Sequence, residues 1–165
     1  MVQEKEMISK EEATRQVHSM ITRLAWLHYA FARTLMKELG DKKGKELSKK
    51  AVALYGELVG KKAKEKTLAK GLPLTRENYS DDLPSLGWGD SERVEVEGEK
   101  RRRVNTCHLA KIWKELGDPE AGRLYCFVDQ AKYEAYNPEL VCVHEKNVLD
   151  GDPYCEIAVR SKKKQ

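Results

Sequence analysis

No stretch of this chain approaches the ~20 consecutive apolar residues that a membrane-spanning helix requires. Its first residues, MVQEKEMISKEEATRQ, alternate charges and lack the apolar centre of a signal peptide. With a mean hydropathy of −0.71, these absences lead to the expectation of a soluble, cytoplasmic protein. Cysteine is missing from the first two-thirds of the chain and then occurs at Cys107, Cys126, Cys142 and Cys155. Nothing routes the chain to an oxidising compartment, so reduced thiols are expected. There is no CxxC pair, which weakens a zinc-ribbon reading. Also missing are a phosphate-cradling Gly loop, a Ser nucleophile elbow, an HExxH helix and any internal repeat.

What is present is 165 residues, 40% hydrophobic and 35% charged, a length that suits one domain. A chain of this size buries roughly 70% of its unfolded surface. The net charge of +4 is uneven, because residues 41–70 hold ten Lys against four acids. Such a Lys-rich helix reads first as a solvated face. Nucleic acid or anionic lipid is the other reading. Nucleic acid ranks last as a partner, since only Tyr55 interleaves an aromatic ring with those lysines. The tail SKKKQ has no apolar partner and is expected to fray.

Hydrophobic spacing divides the chain into two parts. Val17, Ile21, Leu24, His28, Phe31 and Leu35 recur at helical intervals, predicting one helix over about 10–39 that stops at Gly40. Trp26 and Tyr29 lie off that seam, which predicts a helix packed on two surfaces and makes a homodimer an expectation. Leu47, Ala51, Leu54 and Leu58 mark a second helix over 44–70, antiparallel to the first. After a connector rich in Pro and Gly, the period changes to two. Val94 and Val96 alternate with Glu95 and Glu97, and Arg101–Val104 return as a second strand. Residues 106–117 read as a short helix capped by Asn105 or Thr106, and 119–136 as another opened by Asp118-Pro119. Leu140–Val148 and Tyr154–Arg160 complete a hairpin across Asp150-Gly151. The fold class is α+β: a helical hairpin (1–72), then a module (73–165) of two further helices and a small antiparallel sheet, the two forming one integrated domain.

Several residues carry chemistry. Cys126, Asp129, Gln130 and Tyr133 share one side of their helix, which walls a pocket or forms a partly buried edge. Cys107, in the first turn of its helix beside His108, meets the positive end of a helix dipole. It reads as a nucleophile, a metal ligand or a small core residue. Cys142 and His144 share one strand face, and Cys155, Ile157 and Val159 another. His28 reads as a core histidine rather than a ligand. The run Arg101-Arg102-Arg103 offers a grip for a carboxylate or phosphate, or a charged strand edge.

Taken in order, several segments resemble one family. They are Cys107-His108-Leu109-Ala110 with Trp113 and Leu116-Gly117, Gly122-Arg123-Leu124-Tyr125-Cys126-x-x-Asp129, Tyr136-Asn137-Pro138, and Leu149-x-Gly151-Asp152-x-x-Cys155. The helical pair and the connector Gly71-Leu72-Pro73-Leu74-Thr75 extend the likeness over most of the chain. The pattern is similar to that of the L-2-amino-thiazoline-4-carboxylic acid hydrolase family, with His108 standing where that pattern has Pro. The resemblance implies hydrolytic opening of a cyclic isothiourea at a C–N or C–S bond. It makes Cys107, His108, Cys126 and Asp129 the catalytic candidates, with Arg103, Arg123, Tyr133 and Asn137 as substrate-binding candidates. It also implies that Cys107, Cys126 and Cys155 converge with Asp129. There either a Cys107 thiolate attacks, or the thiols hold a divalent metal such as zinc. The alternative is a non-catalytic module that binds a small molecule or a metal.

Overall fold

The structure is a computed structural model that describes residues 7–80 and 82–162. The last residues of the basic tail, 163–165, lie outside these. Helix α1 (Lys10–Leu39) begins at Ser9, whose hydroxyl accepts the Glu12 amide at 3.1 Å, a cap of the kind that anchors a helix start. Gly40 turns the chain directly into α2 (Asp41–Ala69), giving the expected antiparallel hairpin.

The two apolar seams differ from the sequence reading. In α1 the buried positions are Ile21, Ala25, Ala32 and Met36, while Phe31 and Trp26 are exposed. In α2 the leucine stripe also faces outward, with Leu54 and Leu58 exposed, and the buried line is Gly44, Ser48, Val52, Gly56, Gly60, Ala63 and Thr67. The reason is proximity. A Cβ built on Gly60 would lie 2.1 Å from the Lys132 carbonyl oxygen, so only a bare backbone permits the approach of α2 to the helix carrying Lys132. Size, not hydrophobicity, selects the buried face of α2.

A four-stranded antiparallel sheet follows: β1 (Gly89–Val96), β2 (Glu99–Cys107), β3 (Leu140–Lys146) and β4 (Cys155–Ser161), ordered β1-β2-β4-β3. Between β2 and β3 run α3 (His108–Glu115), α4 (Pro119–Arg123) and α5 (Phe127–Tyr136). The single helix expected over 119–136 is divided by a 3-10 turn at Leu124–Cys126. Strand β2 also runs further than expected. Thr106 is a strand residue, its hydroxyl accepting the Asp90 amide at 2.9 Å, and Cys107 itself occupies the cap position of α3.

Strand alternation separates two chemistries. On the helix-facing side, Cys142, Ile157 and Val159 pack with Tyr136, Leu140 and Ala63. On the other side Glu156 accepts from Arg101 at 2.7 Å and Arg103 at 3.2 Å, and Arg160 pairs with Glu99 and Glu145. A second cluster, built on Ile21, Ala25, Val52, Leu109 and Trp113, joins the hairpin to α3. Trp113, 1% exposed, donates its indole N–H to the Ala25 carbonyl at 3.1 Å. Among the described residues no helix is long and apolar enough to cross a membrane.

Candidate functional site

Between the helices and the inner sheet face lies a cavity of about 360 Å³. Its polar lining includes Cys107 at the β2–α3 junction, Cys126 and Asp129 around the start of α5, His144 on β3, and Cys155 at the start of β4. Trp88, Trp113 and Tyr125 supply aromatic wall. The structure therefore brings Cys107, Cys126, Cys155 and Asp129 to one cavity.

Asp129 is the hub. Its Oδ1 accepts from Lys132 Nζ at 2.8 Å, one helical turn on, and its Oδ2 accepts from His144 Nε2 at 3.0 Å. Lys132 also reaches Asp82 at 2.8 Å, and Asp82 in turn accepts the Tyr79 hydroxyl at 3.1 Å. Burial alone would raise the Asp129 carboxyl, but the Lys132 ammonium and the His144 ring outweigh it and hold the group far below the usual carboxylate range. Burial opposes the charge on Lys132 as well, and the carboxylates of Asp129 and Asp82 raise it well above the ordinary lysine value. Both groups are charged at neutral pH. The pairing is what makes a lysine only 5% exposed tolerable.

The orientation of His144 is set one step further out. Asn147, in the β3–β4 turn, accepts the Leu149 amide on Oδ1 at 2.9 Å, so its Nδ2 must face the other way. That Nδ2 donates to His144 Nδ1 at 3.0 Å and to Cys126 Sγ at 3.5 Å. The network assigns His144 the neutral tautomer with its proton on Nε2, aimed at Asp129. Asn147 is itself held by its turn, its backbone amide donating to Asp152 at 2.7 Å.

The three cavity thiols differ in environment. Burial pushes Cys126 up to about 12, against the pull of the Asn147 amide. Burial also raises Cys107, while the amides of Ala110 and Leu109 at the opening of α3 draw it back. Cys155 is raised by burial and lowered by the Val148 amide, which donates to its sulfur at 3.4 Å. Cys142 faces the same interior but sits in the core with Tyr136 and Ile157.

The remaining candidates lie elsewhere. His108 stacks on His18 with ring centroids 4.2 Å apart, outside this cavity. Arg103 points to the opposite sheet face, bound to Glu156 and lying over the Tyr154 ring. Arg123 is tied to Asp150 at 2.8 Å. Tyr133 packs against Tyr79 in an adjoining depression, and Asn137 donates to the Leu74 carbonyl at 2.7 Å, pinning the connector. His28 donates to the Ala121 carbonyl at 2.9 Å between Trp113 and Tyr125, as a core histidine would. Gln130 is exposed. Among the described residues no group of three or more His, Cys, Asp or Glu side chains is disposed to hold a metal ion.

Asp82 and Lys132 of the cavity, and Asn147 behind His144, escape the sequence reading, while Arg102 enters it only as part of the arginine run. Arg102 had a usable signal, because Val104 two residues on faces inward and strand alternation carries Arg102 to the same side. Lys132 had a weaker one, three residues after Asp129 on one helix. Asp82 and Asn147 lie in a loop and a turn, where spacing predicts no direction.

The structure thus defines an α+β protein with a thiol-lined cavity backed by a buried, charged network. The chain belongs to the L-2-amino-thiazoline-4-carboxylic acid hydrolase family, whose model matches residues 14–159 and so takes in the cavity residues named above. No curated protein and no solved structure matches the chain.

Proposed function

We propose that this protein hydrolyses a small cyclic isothiourea of the 2-aminothiazoline-4-carboxylate type in the thiol-lined cavity, with Cys107 as the attacking group. The observation that carries this reading is the placement of Cys107. It opens into the same cavity as the ionised Asp129; burial raises its thiol and the first amides of α3 draw it only partly back, so the proton it loses on attack passes to the substrate.

The chemistry balances as the addition of one water. The Cys107 sulfur adds to C2, the carbon between ring sulfur and nitrogen, and the thiol proton passes to the ring nitrogen. The tetrahedral carbon then opens by expelling the ring sulfur as a thiol or the ring nitrogen as an amine. Water attacks the same carbon, Cys107 leaves with its proton restored, and a carbamoyl-cysteine is released. Nothing is oxidised.

Asp129 serves as a fixed negative charge beside an amidine that becomes cationic as it is protonated. Its acidity disqualifies it as a proton acceptor near neutrality. Lys132 and His144 are positioning residues, keeping that carboxylate ionised and oriented. Cys126, with its thiol near 12, stays protonated and lines the wall.

The test is mass-spectrometric detection of carbamoyl-cysteine from reduced protein and L-2-amino-thiazoline-4-carboxylate. Turnover that disappears in Cys107→Ser supports the reading. A wild-type protein that binds the compound without turnover would instead make the cavity a binding site.

A further inference from the structure

The three consecutive arginines of β2 have different surroundings. Arg101 meets Glu99 at 2.6 Å and Glu156 at 2.7 Å, and Arg103 meets Glu156 at 3.2 Å, all on the outer sheet face. Arg102 points to the inner face. It lines the thiol cavity and also the adjoining depression floored by Tyr79 and Tyr133. Among the described residues it pairs with no carboxylate.

Its direct cross-strand neighbour is Arg93 of β1, so both side chains leave the sheet on the same side. Arg93 lines the depression too and likewise has no ion-pair partner among the described residues. The nearby acids are already engaged, Asp82 by Lys132 and Tyr79, and Glu77 by Arg76. Like charges placed directly opposite on a sheet are destabilising. Two guanidinium groups on paired strands, both lining the depression and one also lining the cavity, are placed to receive an anion together. The planar fork of arginine fits a carboxylate with two parallel hydrogen bonds.

We propose that Arg102, supported by Arg93, binds the carboxylate of whatever ring compound enters this cavity. It thereby sets the substrate class as small ring carboxylates rather than neutral amidines. The identity of the ring rests on the reaction proposed above; the anion site does not.

The experiment is calorimetric titration with L-thiazolidine-4-carboxylate, a saturated ring that lacks the reactive amidine carbon, and with its methyl ester. The wild-type protein is expected to bind the acid and to bind the ester far more weakly. Arg102→Gln should weaken the acid by about ten- to a hundredfold, the range for losing a charge-assisted bidentate contact, and leave the ester unchanged. Arg93→Gln, on an exposed strand, is the second variant and should weaken the acid by about threefold. Acid binding of unchanged strength in Arg102→Gln, equal binding of acid and ester by the wild type, or no binding of the acid would overturn the proposal. Arg102-dependent binding of the acid by a protein that never turns over the aminothiazoline would remove the reaction and leave this site standing. Turnover with an unchanged KM in Arg102→Gln would do the reverse.

Discussion

Asp129 and His144 meet at 3.0 Å across the packing of α5 on β3, with the ring's Nε2–H directed at the carboxylate. This contact links the helix that α2 presses against the sheet to the strand that completes the cavity. It also divides the work between them: the acid supplies fixed charge, and the ring holds it in place.

Removing that charge has two costs. Asp129→Asn leaves Lys132 buried with Asp82 as its remaining carboxylate, and should destabilise the fold by about 3 kcal/mol in urea unfolding. It should also abolish turnover. The variant's acid sensitivity provides a separate check. Because the folded-state Asp129 carboxyl is depressed below its unfolded value of about 4, its contribution is complete above that pH. That contribution fades as the medium is acidified below the unfolded value, so wild-type stability should fall on acidification more steeply than that of Asp129→Asn. Lys132 runs the opposite way. Its raised folded value makes its contribution complete below about pH 10 and lost only as the pH rises beyond it.

Asn147 selects the His144 tautomer. Nitrogen-15 NMR of the imidazole should show protonation on Nε2 alone in the wild type. In Asn147→Leu, which removes the donor to Nδ1 and to the Cys126 sulfur, mixed tautomers are expected, with turnover reduced by about tenfold to a hundredfold. A pure Nε2 tautomer in the variant would remove Asn147 from this role.

The thiols should separate by reactivity. Cys107 and Cys126 are both raised by burial, so alkylation by iodoacetamide should accelerate as the pH rises from 7 to 9. Cys107 is expected to react first, since Cys126 is pushed to about 12. Peptide mapping reads the order directly, and an isothiourea carboxylate in the cavity should protect Cys107.

Gly60→Ala tests the close approach of α2 to α5. The added methyl would overlap the Lys132 carbonyl, so stability should drop by about 2 kcal/mol or more in chemical denaturation, even though alanine is the better helix former. A stabilised variant would contradict the packing described.

Much of this architecture was legible from local pattern. The long helices, the change of period near Val94, the Asp118-Pro119 restart and the Asp150-Gly151 turn all mark their elements through short-range sterics and capping. The buried faces were less legible. Leu54 and Leu58 outrank Gly56 and Gly60 in hydrophobicity, yet helix–helix distance decided which line faces inward. The thiols and Asp129 of the cavity came from the ordered family-like segments. Lys132, Asp82 and Asn147 are joined to them only through tertiary hydrogen bonds that no spacing encodes. Within the arginine run the pattern was informative all along, since alternation turns Arg102 inward and Arg103 out.

The central claim is that Cys107 attacks the ring carbon, and its most direct test is intact-mass analysis of protein mixed with L-2-amino-thiazoline-4-carboxylate and quenched in acid within one turnover. The account predicts a transient species heavier by the whole substrate, mapped to the peptide containing Cys107 and missing in Cys107→Ser. Undiminished turnover by Cys107→Ser, with no adduct on the wild-type peptide, would contradict it.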